Sequence, residues 1–137
     1  MRRYLVVANQ TLAGEQLLAK VREAIAQGPS AFHVLVPATP SNEHLTWTEG
    51  EARSIADKNL QAALLRFREV GADVTGEIGT ASPVDAIGNT LREGTFDEII
   101  LSTLPLGVSR WLKQDLPHRV ERSFNLPVTH VVGEDGA

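Results

Sequence analysis

The sequence predicts an α/β fold, a three-layer open sandwich in which helices cover both faces of a mostly parallel sheet. Three observations support this prediction. Short apolar runs, such as residues 4–8 and 32–36, alternate along the chain with longer segments of helical period. Residues 4–8 are continuously apolar, which is typical of a strand that is buried on both faces. The 137 residues contain no internal repeat or linker, so we assign residues 1–137 to a single domain.

Five strands are predicted from apolar runs that end at polar or turn-forming residues. The first run is expected to be the central strand. The third is weaker, because Asp73, Thr75 and Glu77 alternate with apolar residues as on a sheet edge. The predicted strands are residues 4–8, 32–36, 72–78, 96–101 and 127–132.

Helices are predicted between the strands from apolar residues at a 3.6-residue period. The first runs from residue 14 to a stop at residues 28–29, and the second from residue 48 or 49 to residue 71. The third has the clearest ends, with Ser82 as N-cap, Pro83 as first residue and Asp85 in the first turn, before Gly94. A last, broken helical region restarts at Asp115, followed by Pro117.

Composition disfavours several classes of function. Cysteine is absent, which excludes disulfides, thiolate metal sites and a cysteine nucleophile, and we expect a cytoplasmic protein. Thirteen basic residues against 17 acidic ones give a net charge of −4, so we expect no nucleic-acid partner. No apolar segment approaches the length of a membrane span, and the amino-terminal segment does not resemble a signal peptide, so no membrane partner is expected.

No catalytic or metal-binding pattern is found in the sequence. The four histidines lack metal-ligand spacing, and His33 and His130, which fall within predicted strands, are expected to be ordinary hydrogen-bonded residues. No serine occupies a GxSxG turn, and neither GxxxxGK[ST] nor GxGxxG occurs. We therefore expect no metal, no catalytic residues and no enzyme activity.

Three segments resemble the universal stress protein family across nearly the whole chain. They are LVVANQT, GTASPVDAIGNTLREGTFDEIILST and the closing LPVTHVV, of which the middle one is the most specific. The resemblance implies a five-stranded parallel sheet in the order 3-2-1-4-5. In nucleotide-binding members it also implies an ATP pocket at the tips of strands one, two and four.

The resemblance also implies a homodimer that forms through the last strand. The edge there is apolar, and an unpaired apolar edge favours association with a second copy. The residues expected at this interface are Val128, His130 and Val132.

ATP-binding members of the family have a glycine-rich phosphate loop after the fourth strand. Here its three glycine positions fall on Ser102, Pro105 and Asp115, followed by Leu116, so all three glycines are missing. Glycine lets the backbone approach phosphate closely, whereas Pro105 has no N–H and Asp115 adds negative charge. We therefore predict a divergent member that needs no cofactor and is not a strong ATP binder.

The predicted ligand-binding residues lie where strands end at the crevice of an open α/β sheet. Ser102 and Thr103 are expected to follow the fourth strand, and Asn9 replaces an acidic residue that the family has near the nucleoside. Hydroxyls at strand ends also bond nearby backbone, and Ser109 is either part of an anion site or an ordinary N-cap. The predicted set is Ala8, Asn9, Pro37, Ser102, Thr103, Gly107, Ser109 and Arg110.

The final helical region is basic within an acidic protein. It suits a phosphate, a carboxylate or an acidic partner surface, and the alternative is a solvated face. Trp111 is expected to pack in the core, with a ligand or interface contact as the alternative. The basic residues are Arg110, Lys113, His118, Arg119 and Arg122.

Three functions follow from these observations. The leading one is a non-enzymatic, universal-stress-like domain that binds a small ligand or partner at the altered crevice. The second is an adenine-nucleotide binder with a modified loop. The third is an enzyme that acts on a phosphorylated or carboxylated metabolite through Arg110, His118 and Arg119, and it requires His118 to point into the crevice.

Overall fold

Five parallel strands and four helices form the layered architecture that the sequence predicts. The computed structural model describes residues 1–9, 14–39, 49–103, 111 and 115–133. The strands are β1 (Arg2–Val7), β2 (Ser30–Pro37), β3 (Val74–Gly79), β4 (Glu98–Thr103) and β5 (Val128–Val132). The helices are α1 (Glu15–Gln27), α2 (Glu49–Glu69), α3 (Pro83–Glu93) and α4 (Leu116–Phe124).

The strands form one sheet in the order β3-β2-β1-β4-β5, and all four neighbouring pairs are parallel. The predicted strand order is therefore confirmed. β1 lies at the centre, where Val6 pairs with Val34 of β2 and with Ile100 of β4. β3 and β5 are the outermost strands of the described sheet.

The two faces of the sheet are covered by different helix pairs. The first face packs against α1 and α2, with Val6, Phe32 and Phe67 among its fully buried side chains. The second face packs against α3 and α4, with Leu35 and Leu101 in its core. Side chains of a strand alternate between the faces, so neighbouring residues belong to different cores.

The ends of α1 and α3 lie at the start and stop residues that the sequence predicts. α1 ends at Gly28, whose φ of 148° suits glycine. α3 has Ser82 as its N-cap, and the Ser82 side chain accepts a hydrogen bond from the Asp85 N–H. Pro83 is the first residue of α3, where its missing N–H costs nothing. Trp111 is buried in the core of the second face, as expected.

Several strand boundaries differ from the prediction, and the difference at β4 affects the candidate site. Ser102 and Thr103 were expected after the fourth strand, but they are its last two residues. They pair with Val131 and Val132 of β5, because the parallel neighbour extends the ladder past the apolar run. No helix in the described part of the chain is long and apolar enough to cross a membrane.

Candidate functional site

The carboxyl ends of β1, β2 and β4 meet at one edge of the sheet. β1 leads through α1, on the first face, to β2, whereas β4 is reached through α3 on the second face. The strand order therefore reverses between β1 and β4, and ligands of open α/β sheets bind outside such a switch point. We call this place the crevice, defined by the described residues Ala8, Asn9, Pro37, Ser102 and Thr103.

Asn9 connects three elements at the crevice. Its Nδ2 donates to the carbonyl oxygen of Pro37 at 3.0 Å, and its Oδ1 accepts from Asn59 Nδ2 at 2.7 Å. The Asn9 amide thus joins the end of β1 to the end of β2 and to α2. A carboxamide offers two donor hydrogens and two acceptor lone pairs, so these two bonds use half of its capacity.

Ser102 and Thr103 place two buried hydroxyls at the end of β4. Alternation along the strand directs Ser102 toward the first face and Thr103 toward the second. Thr103 Oγ1 lies 2.8 Å from His130 Nε2, and its carbonyl accepts from the Gly133 N–H at 2.7 Å. Thr103 is therefore held in place by His130 of β5 and by Gly133, which follows β5.

His130 brings a titratable ring next to the crevice. It was expected to be an ordinary hydrogen-bonded histidine, and its bond to Thr103 confirms that it is bonded. Burial lowers the pKa of His130 below its ordinary value, because it disfavours the charged ring. The neutral imidazole is therefore favoured at neutral pH, and it can accept the Thr103 hydroxyl proton or donate to the hydroxyl oxygen.

Asp115 begins α4 in a conformation that glycine usually adopts. Its φ of 56° and ψ of 42° lie in the left-handed region. It is the N-cap residue of α4, where the sequence predicts that the helical region restarts, but its side chain makes no capping hydrogen bond. An N-cap normally has extended backbone, whereas Asp115 does not, and its carboxylate instead accepts from His118 Nδ1 at 2.8 Å. The backbone thus keeps a glycine-like shape where the family pattern has its third glycine.

The other three predicted ligand-binding residues, Gly107, Ser109 and Arg110, lie outside the described residues. Pro105 and Lys113 lie outside them as well. Among the described ranges, no group of three or more His, Cys, Asp or Glu side chains is arranged to hold a metal ion.

Two residues at the crevice were missed by sequence reasoning. Asn59 is a half-buried amide in the apolar stripe of α2 that contains Ala52, Ala56 and Ala63. A polar residue in such a stripe is a usable signal, because a helix rarely turns an amide toward the core without a partner. For His130 a hydrogen bond is predicted but not a place beside the crevice, because its partner Thr103 lies 27 residues away in the chain.

Several solved structures with this architecture are universal stress proteins. One from Archaeoglobus fulgidus has 15% sequence identity and a TM-score of 0.65, over 96% of this chain and 93% of that chain. The same-named protein from that organism in complex with dAMP has 18% identity and a TM-score of 0.67, over 96% and 97%. A universal stress protein in complex with cAMP has 20% identity and a TM-score of 0.62, over 95% and 96%.

The chain has the universal stress protein fold. No protein-family model matches the sequence, and no curated protein matches it either. The universal stress protein fold is thus recognisable in three dimensions at identities of 15 to 20%.

Proposed function

We propose that this chain is a small-ligand-binding domain of the universal stress type, whose crevice is non-catalytic and accepts a nucleoside monophosphate in preference to ATP. The observation that supports this most is that Asn9, Ser102 and Thr103 lie at strand ends where the strand order reverses. Two proteins with this fold were solved with cAMP or dAMP, each of which has a single phosphate.

Asn9 is the proposed contact for the nucleoside. Its two bonds to Pro37 and Asn59 fix the plane of the amide, so the remaining donor and acceptor have defined directions. A fixed amide suits a ribose hydroxyl or the edge of a base, and it loses little side-chain entropy when it binds. Asn59 acts through Asn9 and is therefore a positioning residue.

Asp115 is the proposed reason why a monophosphate is preferred. α4 follows β4 in the chain, so we expect its amino terminus on the side of the carboxyl edge of the parallel sheet, where a helix favours anions. The Asp115 carboxylate adds a negative charge at that terminus and would repel the terminal phosphates of ATP. A single phosphate near the ends of β1 and β4 avoids that repulsion.

Catalysis at the crevice through His118 is not part of this proposal. The His118 side chain is 69% exposed and its ring is bonded to Asp115 within the first turn of α4. A general base has to lie within hydrogen-bond reach of the substrate proton, and a ring turned to solvent does not meet that requirement. The crevice is thus proposed to bind rather than to transform its ligand.

Calorimetric titration with AMP and with Mg·ATP tests the proposal. We expect AMP to bind the wild-type chain more tightly than Mg·ATP. Asp115→Gly should raise the affinity for Mg·ATP about tenfold, which corresponds to about 1.4 kcal/mol, because it removes the opposing charge and keeps the backbone shape. Asn125→Gly is the matched control, since Asn125 is the other non-glycine residue with positive φ in the described chain.

Two outcomes would contradict the proposal. One is that neither nucleotide binds the wild-type chain with a Kd below about 1 mM. The other is that Asp115→Gly and Asn125→Gly change the Mg·ATP affinity equally, which would assign the effect to backbone strain rather than to charge. An ATP affinity above that for AMP in the wild-type chain would favour the adenine-nucleotide binder with a modified loop.

A homodimer through the outer edge of β5 is the second part of the proposal. β5 is outermost, and Val132 is 45% exposed. The register with β4 directs the N–H groups of Thr129 and Val131 inward and that of His130 outward. An outward row of donors and acceptors beside exposed valine favours pairing with a second copy.

Light scattering of the wild-type chain and His130→Pro tests this dimer. Proline at residue 130 removes an outward N–H and leaves the ladder to β4 intact, so we expect a dimer to become a monomer. Val132→Lys, which charges the same edge without altering the backbone, should have the same effect. A wild-type monomer at micromolar concentration, or a dimer that survives both substitutions, would contradict this interface.

A further inference from the structure

A second cluster of reactive side chains lies away from the crevice, between β2, β3 and α3. His33 of β2 is directly opposite Thr75 of β3, and its Nδ1 lies 2.7 Å from Thr75 Oγ1. Its other nitrogen, Nε2, lies 2.8 Å from Glu77 Oε2. The imidazole thus links a hydroxyl to a carboxylate, both of which belong to β3.

The direction of the proton in this cluster follows from its partners. An ionised carboxylate has no proton to donate, so Nε2 donates to Glu77. In the neutral ring Nδ1 then carries the lone pair and accepts the Thr75 hydroxyl proton. A nucleophile bonded to a base, which is in turn oriented by a third group, is the arrangement that activates a hydroxyl for attack on a carbonyl.

The supporting contacts hold the base and the carboxylate in place. The other oxygen of Glu77, Oε1, accepts from Thr90 Oγ1 of α3 at 3.1 Å, and Thr90 is buried. The His33 ring lies beside the Phe96 ring, with 6.1 Å between the ring centroids. The His33 side chain is only 19% exposed, so much of the imidazole is shielded from water.

The nucleophile itself is accessible. Thr75 is exposed, and β3 is the outermost strand on its side of the described sheet. The register with β2 directs the N–H of Thr75 inward and that of Gly76 toward the open edge. The N–H that follows a nucleophile is a suitable donor to the oxyanion that forms when the nucleophile attacks.

Gly76 packs closely against α2 on the opposite face. A Cβ at this position would lie 2.6 Å from Leu60 Cδ1, in α2. The glycine therefore brings β3 close to α2, and it leaves no side chain of its own to cover the outward N–H.

We propose that Thr75, His33 and Glu77 hydrolyse a small carboxylic ester by transferring its acyl group to water. Thr75 is the nucleophile, His33 is the base and Glu77 is the positioning residue. Thr75 Oγ forms a bond to the acyl carbon while its proton moves to His33 Nδ1. The carbon–oxygen bond to the leaving alcohol breaks, and the alcohol takes that proton. Water then attacks the acyl-threonine, gives its proton to His33, and releases the acid as Thr75 regains a proton.

This activity goes beyond the ligand binding proposed for the crevice and uses none of its residues. It also differs from the sequence expectation of no enzyme activity, because the three side chains converge only after β2 and β3 pair. His33 is 42 residues from Thr75 and 44 from Glu77, so no local motif records the cluster.

Hydrolysis of p-nitrophenyl acetate, together with peptide mapping of the acetylated chain by mass spectrometry, tests this proposal. We expect wild-type chain and Thr75→Ser to release p-nitrophenol above background and to carry acetyl at residue 75. Thr75→Val should fall to background, and Glu77→Gln should be slower by about tenfold or more, as expected for a base that has lost its orienting carboxylate. Thr129→Val is the matched control, because Thr129 is also a threonine of an outermost strand whose hydroxyl bonds a side chain of the neighbouring strand, here Glu98 at 2.7 Å.

The proposal fails if Thr75→Val and wild-type chain release p-nitrophenol at the same rate. It also fails if the acetyl group maps only to lysines or to the amino terminus, because that is the uncatalysed reaction of amines with this ester. Thr129→Val should keep the wild-type rate, and a loss equal to that of Thr75→Val would assign the effect to folding. None of these outcomes depends on whether nucleotides bind at the crevice.

Discussion

Two histidine–threonine pairs lie on the second face of the sheet, and they differ in one partner. Beside the β3 edge, His33 bonds Thr75 and also the carboxylate of Glu77. At the β5 edge, His130 bonds Thr103, and no carboxylate in the described ranges is hydrogen-bonded to its ring. A carboxylate on one ring nitrogen fixes the orientation of the imidazole and the nitrogen that carries the proton, whereas the His130 ring is bonded only to a hydroxyl. The same two residue types thus suit proton transfer at one edge and hydrogen bonding at the other.

The largest expected difference between the pairs is in stability. Glu77→Leu removes the acceptor for Thr90, which is buried, and for His33 Nε2, so the free energy of unfolding should fall by about 2 kcal/mol. His130→Gln alters one hydrogen bond of an exposed side chain and should lower the free energy of unfolding by less than about 1 kcal/mol. Urea denaturation of both variants measures the two values, and equal losses would remove the distinction.

The pH dependence of stability should come partly from His130. Burial lowers the pKa of His130 in the folded state, so the unfolded chain binds more protons as the pH falls. Stability is therefore complete above the ordinary histidine pKa of about 6.5 and decreases as the pH falls below it toward the folded value. Unfolding measured between about pH 8 and pH 5 should show a weaker decline in His130→Gln than in the wild-type chain.

If the His130→Gln decline matches that of the wild-type chain, other groups cause the pH dependence. An NMR titration of the His130 ring gives the independent check, because it reports the pKa of this residue directly.

The smallest expected effect tests whether an added carboxylate makes the His130–Thr103 pair more like the His33–Thr75 pair. Val132 lies on the same face of β5 as His130, two residues further along the strand, and is exposed. Val132→Glu places a negative charge near the ring and should raise the pKa of His130, whereas Val132→Gln should leave it unchanged. NMR titration of both variants measures this, and identical titrations would mean that solvent screens the added charge.

The fold could be predicted from the sequence because apolar runs and helix caps record it locally. The ends of strands were predicted less well, since polar residues such as Arg2 and Ser102 belong to strands only through pairing with a neighbour. The αL backbone of Asp115 could not be predicted either, because Asp at a helix start normally favours an extended N-cap.

The candidate site could be predicted in place but not in detail. Asn9, Ser102 and Thr103 follow from the rule that strand ends at a switch point bind ligands. Asn59 and the contact between His130 and Thr103 were missed because these contacts join residues 50 and 27 positions apart. The His33 cluster was missed for the same reason, since alternation in a strand shows which residues share a face but not the register in which neighbouring strands pair.

A two-dimensional ¹⁵N NMR titration with AMP is the most direct test of whether a nucleoside monophosphate binds at the crevice. We expect amide shifts that saturate together at Asn9, Ala38, Thr103 and Gly133, with the Asn9 side-chain amide among them. The amides of Thr75 and Glu77 should stay unchanged and serve as an internal reference. Shifts confined to the β3 edge, or no saturable shift at the crevice, would contradict the claim.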